Sequence, residues 1–147
     1  MILPIALTIA AAAALINVWL AYRVGQVRRA LKIYVGDGGD ERLARRMRAH
    51  ANFAENAPIA LVLIAGVELA TGDSLYLWAA GVIFILARVA HAFGMDRPGG
   101  NLLRTAGALL TALVLVALAL WAAQIAYRSP PLHSSLEPTS IRTPSPR

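Results

Sequence analysis

The sequence contains no cysteine, which excludes disulfides, a thiol nucleophile and thiolate metal sites. Charged residues are also scarce. They make up 15% of the 147 residues, whereas 58% are hydrophobic. A soluble domain of this size carries far more charge, so the composition predicts a single domain whose surroundings are largely lipid.

Basic residues are absent from the first 22 positions, although the net charge is +6. A cleaved signal peptide carries positive charge before its apolar region, so we expect an uncleaved membrane helix here. Eight of the 14 Lys and Arg residues lie between Arg23 and Arg48, beside this apolar segment. That distribution is typical of the cytoplasmic side of a membrane protein, and it argues against a nucleic-acid partner.

Four apolar runs are each long enough to cross a bilayer as a helix. They predict helices at residues 1–22 with a basic extension to 32, at 41–70, at 75–93 and at 101–127. The predicted fold is an all-α, integral membrane four-helix bundle comprising residues 1–128. Both basic loops would then lie inside and both termini outside, in a multi-pass topology.

Two segments outside these helices lack the composition of a folded or ligand-binding unit. Residues 129–147 contain five of the eight prolines and predict a disordered tail. The GDGGD run at 36–40 lacks the further oxygen ligands of a calcium loop and predicts a linker, with Asp40 capping the second helix. Only His50 and His91 lie in the helical region, so no metal site is expected.

The start of the second helix carries polar residues to the edge of the hydrocarbon. Arg48, Asn52 and Glu55 have the i, i+4, i+7 spacing that places them on one helix face. Ionisable groups at this depth are costly and usually functional. We therefore expect other helices to supply partners for this face.

Arg88 lies within the third apolar run and needs a partner or a route to the headgroups. An ion pair with Glu55 would satisfy both residues, either as a clamp between helices or as part of a site. His91 follows one turn later, and Arg104 and Thr105 open the fourth helix. The residues predicted to meet in one inner-leaflet cleft are Arg28, Arg48, Asn52, Glu55, Arg88, His91, Arg104 and Thr105.

Such a cleft suits an anionic ligand that also carries an amino group, because arginines bind carboxylates and Glu55 binds an ammonium or amide. An arginine beside a thiol would also stabilise the thiolate. Since the chain has no thiol, the ligand would have to bring it.

Four motifs carry a resemblance to a known family: GQVR at 25–28, RAHANFAE at 48–55, ARVAH at 87–91 and Arg104. Together they resemble the membrane-associated proteins in eicosanoid and glutathione metabolism, the MAPEG family, in particular its microsomal prostaglandin E synthase branch and its small bacterial members. The resemblance covers residues 1–127. It implies four-helix protomers that form a homotrimer, in a bacterial inner membrane, with glutathione bound between subunits near the cytoplasmic side.

The resemblance also assigns roles to individual residues. It implies glutathione contacts from Arg28, Arg48, Asn52, Glu55, His91 and Arg104, with Arg104 as the catalytic thiolate stabiliser and Arg88 as a structural or binding residue. Three positions depart from the family pattern. Family members generally have tyrosine where this chain has Met95, and they often have an aromatic residue where it has Asn56. The prostaglandin branch has a basic residue where this chain has Ala51.

Two functions follow as expectations. The first is a glutathione-dependent transferase or peroxidase-like enzyme that acts on lipophilic electrophiles entering from the bilayer. The alternative is a non-catalytic four-helix membrane protein, either a small transporter or a scaffold. Four-helix drug exporters of this length use a carboxylate in the first helix, and here that helix has none.

Overall fold

The computed structural model describes residues 2–129, which form four α-helices. They are α1 (Pro4–Leu31), α2 (Glu41–Thr71), α3 (Leu75–Met95) and α4 (Leu102–Arg128). Each of the four is long and apolar enough to cross a membrane. The predicted all-α membrane fold is thus confirmed. Of the tail predicted to be disordered, residues 130–147 lie outside the described part of the chain.

Three helices begin at a side-chain cap. Asp40 accepts a hydrogen bond from the backbone N–H of Leu43 at 2.7 Å. Ser74 caps α3 and Asn101 caps α4 in the same way. These short polar side chains satisfy N–H groups that the first helical turn leaves without partners. The capping role predicted for Asp40 is confirmed.

The first helix is capped by a residue of another helix. Glu68, near the end of α2, is only 2% exposed. Its two carboxylate oxygens accept hydrogen bonds from the backbone N–H groups of Ile5 at 2.9 Å and Ala6 at 2.7 Å. The negative carboxylate also complements the positive end of the α1 dipole. In the sequence, Glu68 is a lone carboxylate within the apolar run of the second helix, and no prediction gave it a role.

The helices alternate in direction, so the loops at 32–40 and 96–101 meet at one end of the bundle. We call this the basic end, and we call the end that holds residues 72–74 the opposite end. Helices α2 and α3 pack against each other, with α1 against both on one side and α4 against both on the other. Large side chains fill the core, among them Ile5, Ile9, Leu20, Phe53, Ile64, Leu77, Phe84 and Leu118.

Glycines allow α3 and α4 to approach closely. A Cβ atom added at Gly107 would lie 2.6 Å from the carbonyl oxygen of Ala87 and 2.7 Å from the backbone nitrogen of His91. A Cβ atom at Gly94 would overlap the backbone of Arg104. These two contacts bring His91 and Arg104 together near the basic end. In lipid the hydrophobic effect does not drive helices together, so close packing at small residues supports their association.

Candidate functional site

A hollow of about 350 Å³ opens near the basic end between α2, α3 and α4. We call it the α2–α4 hollow. Five of the eight predicted site residues line it, namely Arg48, Asn52, His91, Arg104 and Thr105. The structure therefore brings these five together, while their functional roles stay a prediction. Met95, Ala108 and Leu109 complete the lining.

The α2 wall of the hollow is oriented by a buried arginine behind it. Arg88 of α3 is 2% exposed and donates a hydrogen bond from Nη1 to Oδ1 of Asn52 at 2.7 Å. This bond fixes the carboxamide of Asn52, so that its NH₂ group is free to donate elsewhere. Arg48 lies one turn earlier on α2 with an exposed side chain. Asn52 thus offers a positioned donor beside the exposed guanidinium of Arg48.

The predicted ion pair between Arg88 and Glu55 is wrong. Glu55 is exposed and makes no ion pair within residues 2–129. It lies about 60° around α2 from Asn52, because three residues advance a helix by about 300°. That rotation turns Asn52 towards α3 and Glu55 away from it. Arg88 is consequently a buried cation without a carboxylate partner in the described chain.

Arg88 also retains unused donors. Its Nε and Nη2 atoms are buried and have no hydrogen-bond partner among the described residues. Buried polar groups are nearly always paired with protein, water or ligand atoms. Two unpaired donors on a buried cation next to Asn52 therefore mark this part of α3 as a place that attracts an acceptor.

The α4 wall is held by backbone contacts to α3. Nδ1 of His91 lies 3.2 Å from the carbonyl oxygen of Arg104. Because a carbonyl only accepts, Nδ1 is the donor in this contact, and in the neutral ring Nε2 is then the acceptor. Asn101 accepts from the N–H of Arg104 at 3.1 Å and donates to the carbonyl of Gly94 at 2.7 Å. These contacts fix the backbone of Arg104, whose side chain is exposed.

The lining has a clear electrostatic character. It contains two guanidinium groups, from Arg48 and Arg104, together with the neutral donors of Asn52 and Thr105. Glu55, the carboxylate expected here, is not among the lining residues. The hollow therefore favours an anionic ligand with several acceptor atoms.

Arg28 lies apart from the α2–α4 hollow. Its Nη1 atom donates to the carbonyl oxygen of Tyr34 at 3.1 Å, and its Nη2 atom lies 3.3 Å from the sulfur of Met47. It lines a second hollow of about 330 Å³ between α1 and α2, which we call the Arg28 hollow. His50 also lines this hollow and is joined to Asn17 of α1 by a 2.9 Å contact from Nε2 to Oδ1.

Sequence reasoning missed an ionic cluster at the basic end. Asp96 accepts hydrogen bonds from Arg23 and, at 3.3 Å, from Nε of Arg46. The Arg23 guanidinium also lies over the Trp19 ring, 4.6 Å from its centroid. The sequence pattern had placed Arg23 and Arg46 only among the basic residues typical of the cytoplasmic side. The available clue was Asp96 itself, an acidic residue in a short loop facing many arginines.

The fold and this hollow define a class of protein: a four-helix membrane bundle with a cationic, polar site formed by three of its helices. Comparison with family models then identifies the family. The MAPEG family model matches residues 6–124, so the chain belongs to the MAPEG family. The resemblance inferred from the motifs is confirmed.

Individual relatives add less detail. Two proteins named inner membrane protein YecN, from Escherichia coli strain K12 and from Escherichia coli O6:H1, are each 28% identical to this chain over 81 residues. The aligned region is 55% of this chain and 62% of each relative, which is less than two thirds of the relative's length. The similarity therefore agrees with the membrane fold, and a particular chemistry has to be inferred from the site residues.

Proposed function

We propose that this protein is an integral membrane glutathione-dependent transferase or peroxidase-like enzyme for lipophilic electrophiles. The observation that carries the proposal is the convergence of Arg48, Asn52, His91, Arg104 and Thr105 on one hollow. These residues come from three helices and from positions up to 57 apart in sequence, so their meeting is a property of the fold.

The residues present fit glutathione. The hollow has two exposed arginines for carboxylates, amide and hydroxyl donors for peptide oxygens, and no lining carboxylate to repel them. The unpaired donors of Arg88 lie directly behind Asn52. When bound, glutathione would supply the thiol that the sequence lacks. Arg104 would stabilise the thiolate form by charge, with its backbone held still by His91 and Asn101.

The same proposal includes a homotrimer, and the positions of Arg28 and Glu55 support it. The outward face of α2 carries Glu55, exposed in a helix that crosses the membrane. A carboxylate there is costly against lipid, so a neighbouring subunit is the better surrounding. The α2–α4 hollow lies to one side of this face and the Arg28 hollow to the other.

Cyclic symmetry relates the two sides in a useful way. In a closed ring built around the outward face of α2, each subunit presents one side to its neighbour's other side. The α2–α4 hollow of one subunit then meets the Arg28 hollow of the next. This arrangement would return Arg28 to the ligand site from which it is absent in a single protomer.

We place the basic end in the cytoplasm, because loops rich in Lys and Arg stay on that side. Both termini of the bundle then lie outside, and the membrane would be the bacterial inner membrane, as the name of the YecN relatives states for them. A lipophilic electrophile would move from the bilayer along the surfaces of the helices into the α2–α4 hollow.

Calorimetric titration of the detergent-purified protein with glutathione tests the ligand. We expect binding in the millimolar range or tighter, weakened about 10-fold or more by Arg104→Ala, since hydrogen bonds to charged groups contribute about 1.5–3 kcal/mol. Arg29→Ala, which removes an exposed arginine outside both hollows, is the matched control and should leave binding unchanged. Absence of binding at 10 mM, or equal effects of the two variants, would refute the proposal.

Native mass spectrometry tests the assembly separately. We expect a mass of three chains, and we expect Arg28→Ala to weaken glutathione binding although Arg28 lies outside the α2–α4 hollow. A purely monomeric protein that nevertheless binds glutathione would contradict the proposed site between subunits but would agree with glutathione as the ligand.

A further inference from the structure

A third hollow, distinct from both hollows described above, lies where the end of α1 meets the start of α2. Its volume is about 340 Å³. We call it the Arg42 hollow, and its lining residues are Gln26, Val27, Ala30, Leu31, Asp40, Arg42 and Arg46. The proposed glutathione chemistry uses none of these residues, so the hollow needs its own explanation.

The polar side of the Arg42 hollow has an excess of positive charge. Arg42 has an exposed side chain and no hydrogen-bond or ion-pair partner within residues 2–129. Arg46 uses Nε for Asp96 and Nη1 for the carbonyl oxygen of Arg23, which leaves Nη2 as an unused donor. Asp96 is already shared by Arg23 and Arg46, so it cannot also neutralise Arg42.

The carboxylate in the lining does not cancel this excess. Asp40 is engaged as the cap of α2, where its Oδ1 atom accepts from the N–H of Leu43 at 2.7 Å. Its charge is directed to the helix end, which carries partial positive charge of its own. Two guanidinium groups and the carboxamide of Gln26 therefore remain to receive an anion with several oxygen atoms.

The other side of the hollow is apolar. Val27, Ala30 and Leu31 form a floor on the last two turns of α1, just where this membrane helix reaches its basic end. A site with cations above and hydrocarbon below matches a molecule that has an anionic head and an acyl tail. Inorganic phosphate would use the cations and leave the apolar floor without a partner.

The hollow also remains open to lipid in the proposed assembly. Ala30 lies about 160° around α1 from Arg28, because two residues advance a helix by about 200°. On α2, Arg46 lies about 180° from Glu55, because nine residues advance a helix by about two and a half turns, so the Arg42 hollow is turned away from the outward face of α2. A ring closed around that face would leave the exposed Ala30 and Leu31 outside the contact between subunits and accessible to lipid.

We propose that the Arg42 hollow binds the phosphate headgroup of an anionic phospholipid from the leaflet at the basic end. Basic pockets between membrane helices on the cytoplasmic side are suited to such headgroups. Arg42 supplies the uncompensated charge, Arg46 and Gln26 supply further donors, and the floor residue Ala30 leaves room for the start of an acyl chain.

The test uses the full chain in detergent, titrated with phosphatidylglycerol, with phosphatidylcholine and with inorganic phosphate, and read by native mass spectrometry. We expect retained phosphatidylglycerol and an affinity about fivefold lower for Arg42→Gln, as one cation near the surface contributes about 1 kcal/mol. Arg29→Gln also removes one positive charge, but from a position on α1 outside the Arg42 hollow, and it should change the affinity less than twofold. Ala30→Phe keeps the charge, fills the floor and should also reduce binding.

The contrary outcomes are distinct from one another. Equal losses in Arg42→Gln and Arg29→Gln would mean diffuse surface attraction without a site. Equal retention of phosphatidylcholine would remove the role of the anionic head. Inorganic phosphate binding as strongly as phosphatidylglycerol, with Ala30→Phe inert, would assign the arginines to a soluble anion. Each of these results overturns the proposal, and none of them depends on glutathione.

Discussion

Two charged residues, one towards each end of the bundle, are buried to the same extent but are paired differently. Glu68 at the opposite end and Arg88 in the half of α3 nearer the basic end are both 2% exposed. Both carboxylate oxygens of Glu68 accept backbone hydrogen bonds, so its charge is paired within the protomer. Arg88 makes one hydrogen bond, to Asn52, and keeps two unpaired nitrogen atoms.

This contrast separates structural charge from charge available for binding. A buried charge whose hydrogen bonds are complete contributes to stability and is lost at a cost. A buried charge with unused donors destabilises the isolated protomer, and it is stabilised when a ligand supplies the missing hydrogen-bond acceptors. Only the second kind lies beside a hollow lined by further cations, and burial alone would not have distinguished the two.

The largest expected effect comes from Glu68→Ala. It leaves two backbone N–H groups at the start of α1 without partners in an apolar region, which should lower the free energy of unfolding by about 3 kcal/mol. Glu68→Gln, which can still accept one bond, should cost about half as much. Reversible denaturation with sodium dodecyl sulfate in mixed micelles measures both.

Asp73→Asn is the control for Glu68, since it removes an exposed carboxylate at the same end. It should leave the unfolding free energy within about 0.5 kcal/mol of the original protein. If Glu68→Ala proved no more harmful than Asp73→Asn, the pairing of Glu68 with α1 would not be structural, and the contrast between the two ends would fail.

The next effect concerns the close approach of α3 and α4. Gly107→Val forces a branched side chain against the backbone of Ala87 and His91, which should cost about 2 kcal/mol of stability. It should also separate His91 from Arg104, so any glutathione binding would fall sharply. Gly66→Val, at an open position on the exposed side of α2, is the control for valine in a helix.

Thermal unfolding in detergent and ligand titration on the folded fraction together distinguish these two consequences. A Gly107→Val protein with normal ligand affinity would show that ligand binding tolerates the separation of α3 and α4. It would contradict the view that their close approach at Gly107 is needed to bring His91 and Arg104 together.

Arg88→Met should show the opposite balance to Glu68→Ala. Replacing a buried cation that has no carboxylate partner with an unbranched apolar side chain should change the unfolding free energy by less than about 1 kcal/mol, or increase it. Ligand affinity should nevertheless fall severalfold, because Asn52 loses the donor that orients its carboxamide. A large loss of stability with unchanged ligand affinity would place Arg88 in the same structural category as Glu68.

The smallest effect is an expected gain. Met95 lines the α2–α4 hollow at the position where family members generally carry tyrosine. Met95→Tyr adds a hydroxyl donor and an aromatic face to the hollow, which should tighten glutathione binding by about threefold to tenfold. Met95→Phe adds the ring without the hydroxyl and separates the two contributions. An unchanged affinity in both variants would mean that Met95 does not face the ligand.

The sequence allowed the helices and the family to be predicted, but several contacts could not be. Apolar runs and caps such as Asp40 specify where helices lie. In a membrane, however, the core-facing and lipid-facing sides of a helix are both apolar, so hydropathy does not specify its rotation about its axis. The partner of Arg88 depends on that rotation, and the prediction of Glu55 in place of Asn52 failed for this reason.

Arg28 and Glu68 illustrate two further limits. The GQVR motif placed Arg28 with the site residues, yet within one protomer its guanidinium contacts Tyr34 and Met47. Glu68 was overlooked because one carboxylate hardly changes the hydropathy of a long apolar run. Its role depends on a backbone segment 63 residues away, which no local pattern reveals.

The amino-acid sequence by itself determined that this chain forms four membrane-crossing helices and which residue types gather near the basic end, because hydropathy and charge distribution act locally along the chain. The tertiary structure alone decided which polar side chains meet, since that depends on how each helix is rotated and how closely glycines let α3 and α4 approach. Asn52 thus became the partner of Arg88, and Glu68 the cap of α1.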